Sequence, residues 1–171
     1  MNQIAQSLLP ELDQEMSNTR KALERIPEDR MGWKPHEKSF TQGRLASHLA
    51  ELPSWGTRAL TSDSFDIAPP DAESEQALDL DERDEILDHF DRSVEELRTA
   101  VEDTSDDRFM EPWTLLRKGV TVFSLPRIGV LRTFVLNHMC HHRGQLTVYL
   151  RLTDTPVPAL YGPSADEGAM P

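Results

Sequence analysis

The sequence predicts an all-α protein, a four-helix up/down bundle with one long crossover connection. Three observations carry this reading. Apolar residues recur at three- and four-residue intervals in four separate stretches, which is the helical period. Polar or proline-rich segments divide those stretches. The chain has 171 residues, the length of one domain, since domains usually run to about 100–200 residues. Residues 1–171 are accordingly read as a single helical-bundle domain closing in a proline-rich tail over 152–171.

The first helix is expected over about 2–26, where Ile4, Leu8, Leu12, Met16, Leu23 and Ile26 share one face. Pro10 removes a backbone donor and marks either the true start or a kink. IPEDRMGWKPHEKSFTQG then reads as a loop, with Ser39 or Thr41 placed to cap the next helix. That helix, about 42–61, carries Leu45, His48, Leu49, Leu52, Trp55, Ala59 and Leu60 on one stripe, and Pro53 is expected to bend it. SDSFDIAPPDAESEQALDL is longer than an ordinary helix–helix turn and suits a crossover. A third helix, about 81–102, opens on the acidic DERDE, which suits a helix N-terminus, and turns Ile86, Leu87, Phe90, Val94, Leu97 and Val101 inward. EPWTLLRKGVTVFSLPR is β-branched and mixed, and reads as irregular or briefly extended. The last helix, about 128–151, has Leu131, Phe134, Val135, Met139, Leu146, Tyr149 and Leu150 as its apolar pattern.

Charge narrows the function classes. The formal net charge is −12, from 30 acidic and 18 basic residues. Between Asp63 and Glu111 stand 19 acids and only four bases, Arg83, Arg92, Arg98 and Arg108, so the remainder of the chain is slightly basic. A phosphate-binding surface needs a basic patch, and nucleic acid is therefore not the expected partner. No apolar run reaches the ~20 residues of a membrane span, and the start has no signal-peptide pattern. The single cysteine, Cys140, cannot form an internal disulfide. A soluble, cytoplasmic protein is the expectation.

The histidines concentrate the chemistry. Of six, three lie in NHMCHHRGQL within the fourth helix. His138 and His142 are four residues apart, about 40° around a helix axis and about 6 Å along it, so two imidazoles can reach one metal ion from the same side. His141 falls about 60° to the other side of His138, and Cys140 projects almost oppositely. His48 sits on the inward stripe of the second helix and is the natural third ligand. A single inward histidine is more often a satisfied core residue. Burying three without partners is costly, and a metal held between packed helices supplies a reason for them. From the residues alone, a metal site and a set of structural histidines remain the two alternatives.

Three segments, GRLASHLAELPSW around His48, NHMCHHRGQLTVYLR, and the closing PVPALYGPSADE, resemble the DinB/YfiT-like superfamily, and the loop IPEDRMGWKPHEKSFTQG is similar to the segment preceding the first histidine there. The resemblance covers nearly the whole chain. It implies a four-helix bundle holding a divalent metal through His48, His138 and His142. His141 matches an adjacent histidine that is not a ligand. Some members of the superfamily use low-molecular-weight thiols such as bacillithiol or mycothiol, and related proteins often pair, so a thiol or other small-molecule substrate and a homodimer are implied. The acidic connection after Asp63 matches no motif.

Three neutral imidazoles leave an ion its full charge and an open coordination position, where a water is acidified or a thiolate or carbonyl binds. Ni(II) and Zn(II) both suit such ligands. Ring orientation calls for hydrogen-bond partners at the distal nitrogens, and Glu51, Asn137 and Gln145 are the candidates, Glu51 and Gln145 also being the weak candidates for a catalytic role. Arg143 reads as a structural or interface cation, Cys140 as a bystander, and Trp33, Trp55 and Trp113 as core or lid aromatics. HExxH, CxxC, GxxxxGK[ST] and GxSxG are absent. The reading is thus a metal-dependent hydrolase or thiol-dependent transferase. The alternative is a non-catalytic metal-binding or stress-associated bundle acting as a dimer or through a protein partner.

Overall fold

The helices form where the apolar period puts them, in a computed structural model that describes residues 2–70 and 77–168. Residues 71–76 of the expected crossover and 169–171 of the expected tail lie outside the described residues. Helix α1 (Gln3–Leu23) buries Leu8, Leu12, Met16 and Leu23 and runs through Pro10, which lies inside it rather than at its start. Such a proline gives up one bond to the carbonyl four residues earlier. Helix α2 (Gln42–Thr61) begins at Thr41, whose hydroxyl accepts from the Arg44 N–H at 3.1 Å, an N-cap. Helix α3 (Arg83–Asp103) buries Ile86, Phe90, Leu97 and Val101. Gly56 of α2 marks a close approach, because a Cβ there would stand 2.7 Å from Leu97.

A small sheet departs from the all-α expectation. Strand β1 (Ser64–Asp66) lies in the connection after α2, and the short helix α4 (Asp106–Met110), capped by Ser105, leads into β2 (Pro112–Arg117) and β3 (Val120–Pro126). β2 pairs antiparallel with β3 and parallel with β1. The segment read as irregular or briefly extended is therefore a hairpin. Its turn holds Lys118 at φ 54 and Gly119 at φ 74, the left-handed pair that a two-residue hairpin turn requires. The Asp66 carboxylate accepts from the Lys118 and Gly119 N–H groups at 3.0 and 2.7 Å and ties the turn to β1. Trp113 buries itself between this sheet and the helices and donates to Ser62 Oγ.

The last helical stretch is not regular. Helix α5 (Arg127–Val130) passes into a π-helical turn (Leu131–Leu136) before α6 (Asn137–Leu152). The Asn137 N–H reaches back to the Arg132 carbonyl, five residues earlier. An uninterrupted α-helix would carry the Leu131–Val135 stripe on to 138 and 142. The wider π turn shifts it by one residue, so the buried stripe becomes Val135, Met139, Arg143, Leu146 and Leu150. α6 packs on α1 and α2, and α3 packs on the same two helices from another side.

Two buried guanidiniums secure the ends. Arg143, 1% exposed, holds the Glu15 carboxylate of α1 at 2.5 Å together with Glu15 O and Thr19 Oγ1. Tyr161 of the tail donates to the same carboxylate at 2.7 Å, and Asp166 pairs with Arg151, so the described tail is strapped to α1 and α6. Burial raises the Glu15 pKa, but the bonds from Tyr161, Arg143 and Cys140 outweigh it and hold the carboxyl below its usual range. Arg127, fully buried, donates to the Ala59 and Ser62 carbonyls at the C-terminus of α2 and to Asp63. Among the described residues, no helix is long and apolar enough to cross a membrane. Replacing Arg127 by Met leaves those two carbonyls without their donor, each worth about 1–3 kcal/mol when buried. A loss of about 2–4 kcal/mol in urea unfolding is expected, against under about 0.5 kcal/mol for exposed Arg30→Met.

Candidate metal centre

The π turn decides which face of α6 meets α2. With Met139 and Arg143 turned to the core, the neighbouring row His138, His142, Gln145 and Tyr149 faces the N-terminal half of α2, where His48 projects half-buried beside the buried Leu45 and Leu49. The three imidazoles cluster with ring centroids 4.6–5.0 Å apart. His138 Nε2 lies 2.8 Å from His142 Nε2 and 3.4 Å from His48 Nε2. Ligand atoms of all three lie within 4.8 Å of one another, so the group could hold one metal ion. Two nitrogens bound at about 2.0–2.1 Å to a common ion stand roughly 3.0–3.4 Å apart, and the observed spacings bracket that range.

The distal nitrogen of His142 accounts for its orientation. His142 Nδ1 stands 2.7 Å from Gln145 Oε1, an acceptor, so the ring proton sits on Nδ1 and the Nε2 lone pair faces inward. At 2.8 Å the Nε2 atoms of His138 and His142 share either the ring proton of one of them or a cation between them. An additional, charging proton is disfavoured. Burial pushes His142 down to about 4 from its ordinary 6.5, and burial with the neighbouring His48 lowers His138 as well. The donor set, three imidazoles converging on one point, fits a divalent metal ion.

The other sequence candidates divide. Glu51 Oε2 lies 3.9 Å from His48 Nδ1, both side chains about four-fifths buried, beyond direct hydrogen-bond reach but beside the centre. Gln145 is an orienting residue, as its position suggests. Asn137 is exposed and only borders a cavity with Phe134, His138 and His141. Cys140 points away to Glu15 and Tyr161, and burial raises its thiol pKa. Arg143 is structural. Trp113 is core, Trp33 packs edge-on against Tyr149, and Trp55 lines the cavity beside His48.

Each of the three histidines borders a cavity. His48 opens on about 140 Å³ with Glu51 and Trp55, His138 on about 360 Å³, and His142 on about 280 Å³ with Phe40 and Gln145. A larger groove of about 780 Å³ lies at the other end of α2, against α3 and α4, and contains none of these histidines.

A model of the DinB family matches residues 1–171. Among curated proteins, the uncharacterized protein YrdA of Bacillus subtilis (strain 168) is 46% identical over 41 residues, 24% of this chain and 25% of that protein. The chain thus matches about a quarter of that relative's length. The fold is shared with a DinB-like protein from Bacillus cereus ATCC 10987, with TM-score 0.67 and 21% identity over 90% of this chain and 95% of the other. It is also shared with the DinB-like protein YjoA from Bacillus subtilis, with TM-score 0.62 and 16% identity over 86% and 92%.

The depressed histidines set a pH dependence for the metal-stripped protein. Between about 4 and 6.5 the unfolded chain binds more protons at His142 than the folded one, so stability rises with pH across that window and is complete above it. The urea midpoint is expected to fall from pH 6.5 to 4, and His142→Gln to flatten that slope. Gln145→Leu, which frees the His142 ring, is expected to weaken metal binding about 10–100-fold by metal titration.

Proposed function

The chain belongs to the DinB family, and on that premise we propose that it is a divalent-metal protein. In this reading His48, His138 and His142 hold one nickel or zinc ion with an open coordination position, within a four-helix up/down bundle, and serve as a metal-dependent hydrolase or thiol-dependent transferase on a small molecule. The single observation that carries it is the convergence of His48, His138 and His142, whose ligand atoms all lie within 4.8 Å of one another, with the Nε2 atoms of His138 and His142 2.8 Å apart.

When bound, the ion supplies Lewis acidity to a nucleophile or carbonyl at its free position. The chain does the rest. Gln145 engages His142 at Nδ1 and leaves its Nε2 turned inward. Phe40 and Phe134 stand edge-on to His48 and His138, with ring centroids 6.3 and 6.2 Å apart. In this reading Glu51, whose Oε2 lies 3.9 Å from His48 Nδ1, takes the proton of the incoming thiol or water.

Metal content of the purified protein, followed by turnover of a chlorodinitrobenzene-type electrophile with several thiols and of an activated ester, tests this reading. About one ion per chain is expected, falling at least tenfold in His138→Ala with helical circular dichroism retained, together with metal-dependent turnover of one substrate type. A wild-type protein that takes up no ion contradicts the reading. An ion without turnover favours the non-catalytic alternative, which the absence of an HExxH-type base in the sequence also supports.

A further inference from the structure

On α2, Arg44, His48, Glu51 and Trp55 follow one another at four, three and four residues, the spacing of a single helix face. All four line the cavity of about 140 Å³ that opens beside His48, closed across from α2 by Phe65 and Ile67 on and just after β1. The wall is aromatic at its far end, where Trp55 and Phe65 meet edge-on at 5.8 Å. A cavity of about this size accommodates one benzene ring in an apolar protein interior.

Arg44 is the unusual member. Its Nη1 is buried and has no hydrogen-bond partner, and its guanidinium lies over the Phe40 ring at 5.1 Å. The neighbouring Arg58 instead stacks on Phe65 at 3.9 Å, and the buried Arg127 and Arg143 bind carboxylates and carbonyls on their own account. A buried guanidinium N–H left unpaired is costly, and its planar fork matches a carboxylate. Glu51, two turns further along the same face, disfavours a second anion there, so the charged end of a ligand belongs at Arg44 and its apolar body toward Trp55 and Phe65.

We propose that Arg44 anchors the carboxylate of a small aromatic or branched aliphatic ligand in the cavity beside His48, making a monoanionic carboxylate the substrate class of the site. This rests on the reading that the three-histidine centre serves a small molecule. The guanidinium sets which end of the ligand enters first and brings its body alongside His48.

The test compares 3-phenylpropionate with 3-phenylpropanamide, matched in shape and different in charge, by calorimetric titration of the full chain. The metal-stripped arm removes direct coordination of the acid to an ion, and a nickel-loaded arm runs in parallel. The acid is expected to bind wild type at least tenfold more tightly than the amide in the stripped arm. That preference should fall below threefold in Arg44→Met, with metal uptake unchanged. Arg44→Lys keeps the charge but loses the fork, and should lose at least threefold of the preference; it decides the matter where circular dichroism shows Arg44→Met unfolded. Equal binding of acid and amide, no binding of either, or a preference untouched by both substitutions overturns the proposal. Persistence of the preference in a wild-type chain that takes up no metal sinks the metal reading and leaves the Arg44 anchor standing.

Discussion

Two imidazole nitrogens, Nε2 of His138 and Nε2 of His142, meet 2.8 Å apart between α2 and α6. The Gln145 bond turns the His142 nitrogen inward, and burial disfavours an additional, charging proton on either ring at neutral pH. A divalent cation is a partner that both nitrogens can share, and His48 arrives from α2 at a spacing suited to the same ion. The packing of α2 against α6 and the placement of Glu51 and Arg44 have their chemical meaning through that shared point.

The backbone that builds this contact is the π turn, Leu131–Leu136. Insertions of this kind gather at functional sites, because one extra residue in a turn rotates the helix C-terminal to it. Here the rotation takes His138 and His142 off the core-facing stripe and gives that stripe to Met139 and Arg143. Arg143 then fixes the rotation, since its guanidinium is committed to Glu15 and Thr19 on α1 and could not face the core without them. The tail adds Tyr161 to the same carboxylate. The fold's rigid side, α1 with the tail, thus sets the angle at which α6 presents histidines to α2.

Much of this is legible in the residues, and the failures have physical reasons. α2 is read from Gln42 to Thr61 because its cap, Thr41, and its stripe agree. The histidine cluster is legible because the four-residue spacing survives the π turn, which lies wholly before His138. Val135, Met139, Leu146 and Leu150 of the buried stripe are legible too; the π turn is not, because a one-residue insertion leaves no mark in composition. The hairpin escapes a sequence reading although Lys118–Gly119 sits between β-branched runs. Its stability comes from Asp66, more than fifty residues away, and from Trp113 packing, neither visible in a local window. Arg44 carries no signal in the sequence beyond its spacing from His48. Only the unpaired Nη1 and the cavity distinguish it from a surface cation.

The central claim is that three Nε2 atoms converge on one ion. Crystals of the nickel-loaded protein, measured on both sides of the nickel absorption edge, test it most directly. The account predicts one anomalous peak about 2.0–2.3 Å from the Nε2 atoms of His48, His138 and His142, with Gln145 still bonded to His142 Nδ1. No peak between α2 and α6, or a peak held by His141 or Glu51 with His142 turned away, would contradict it.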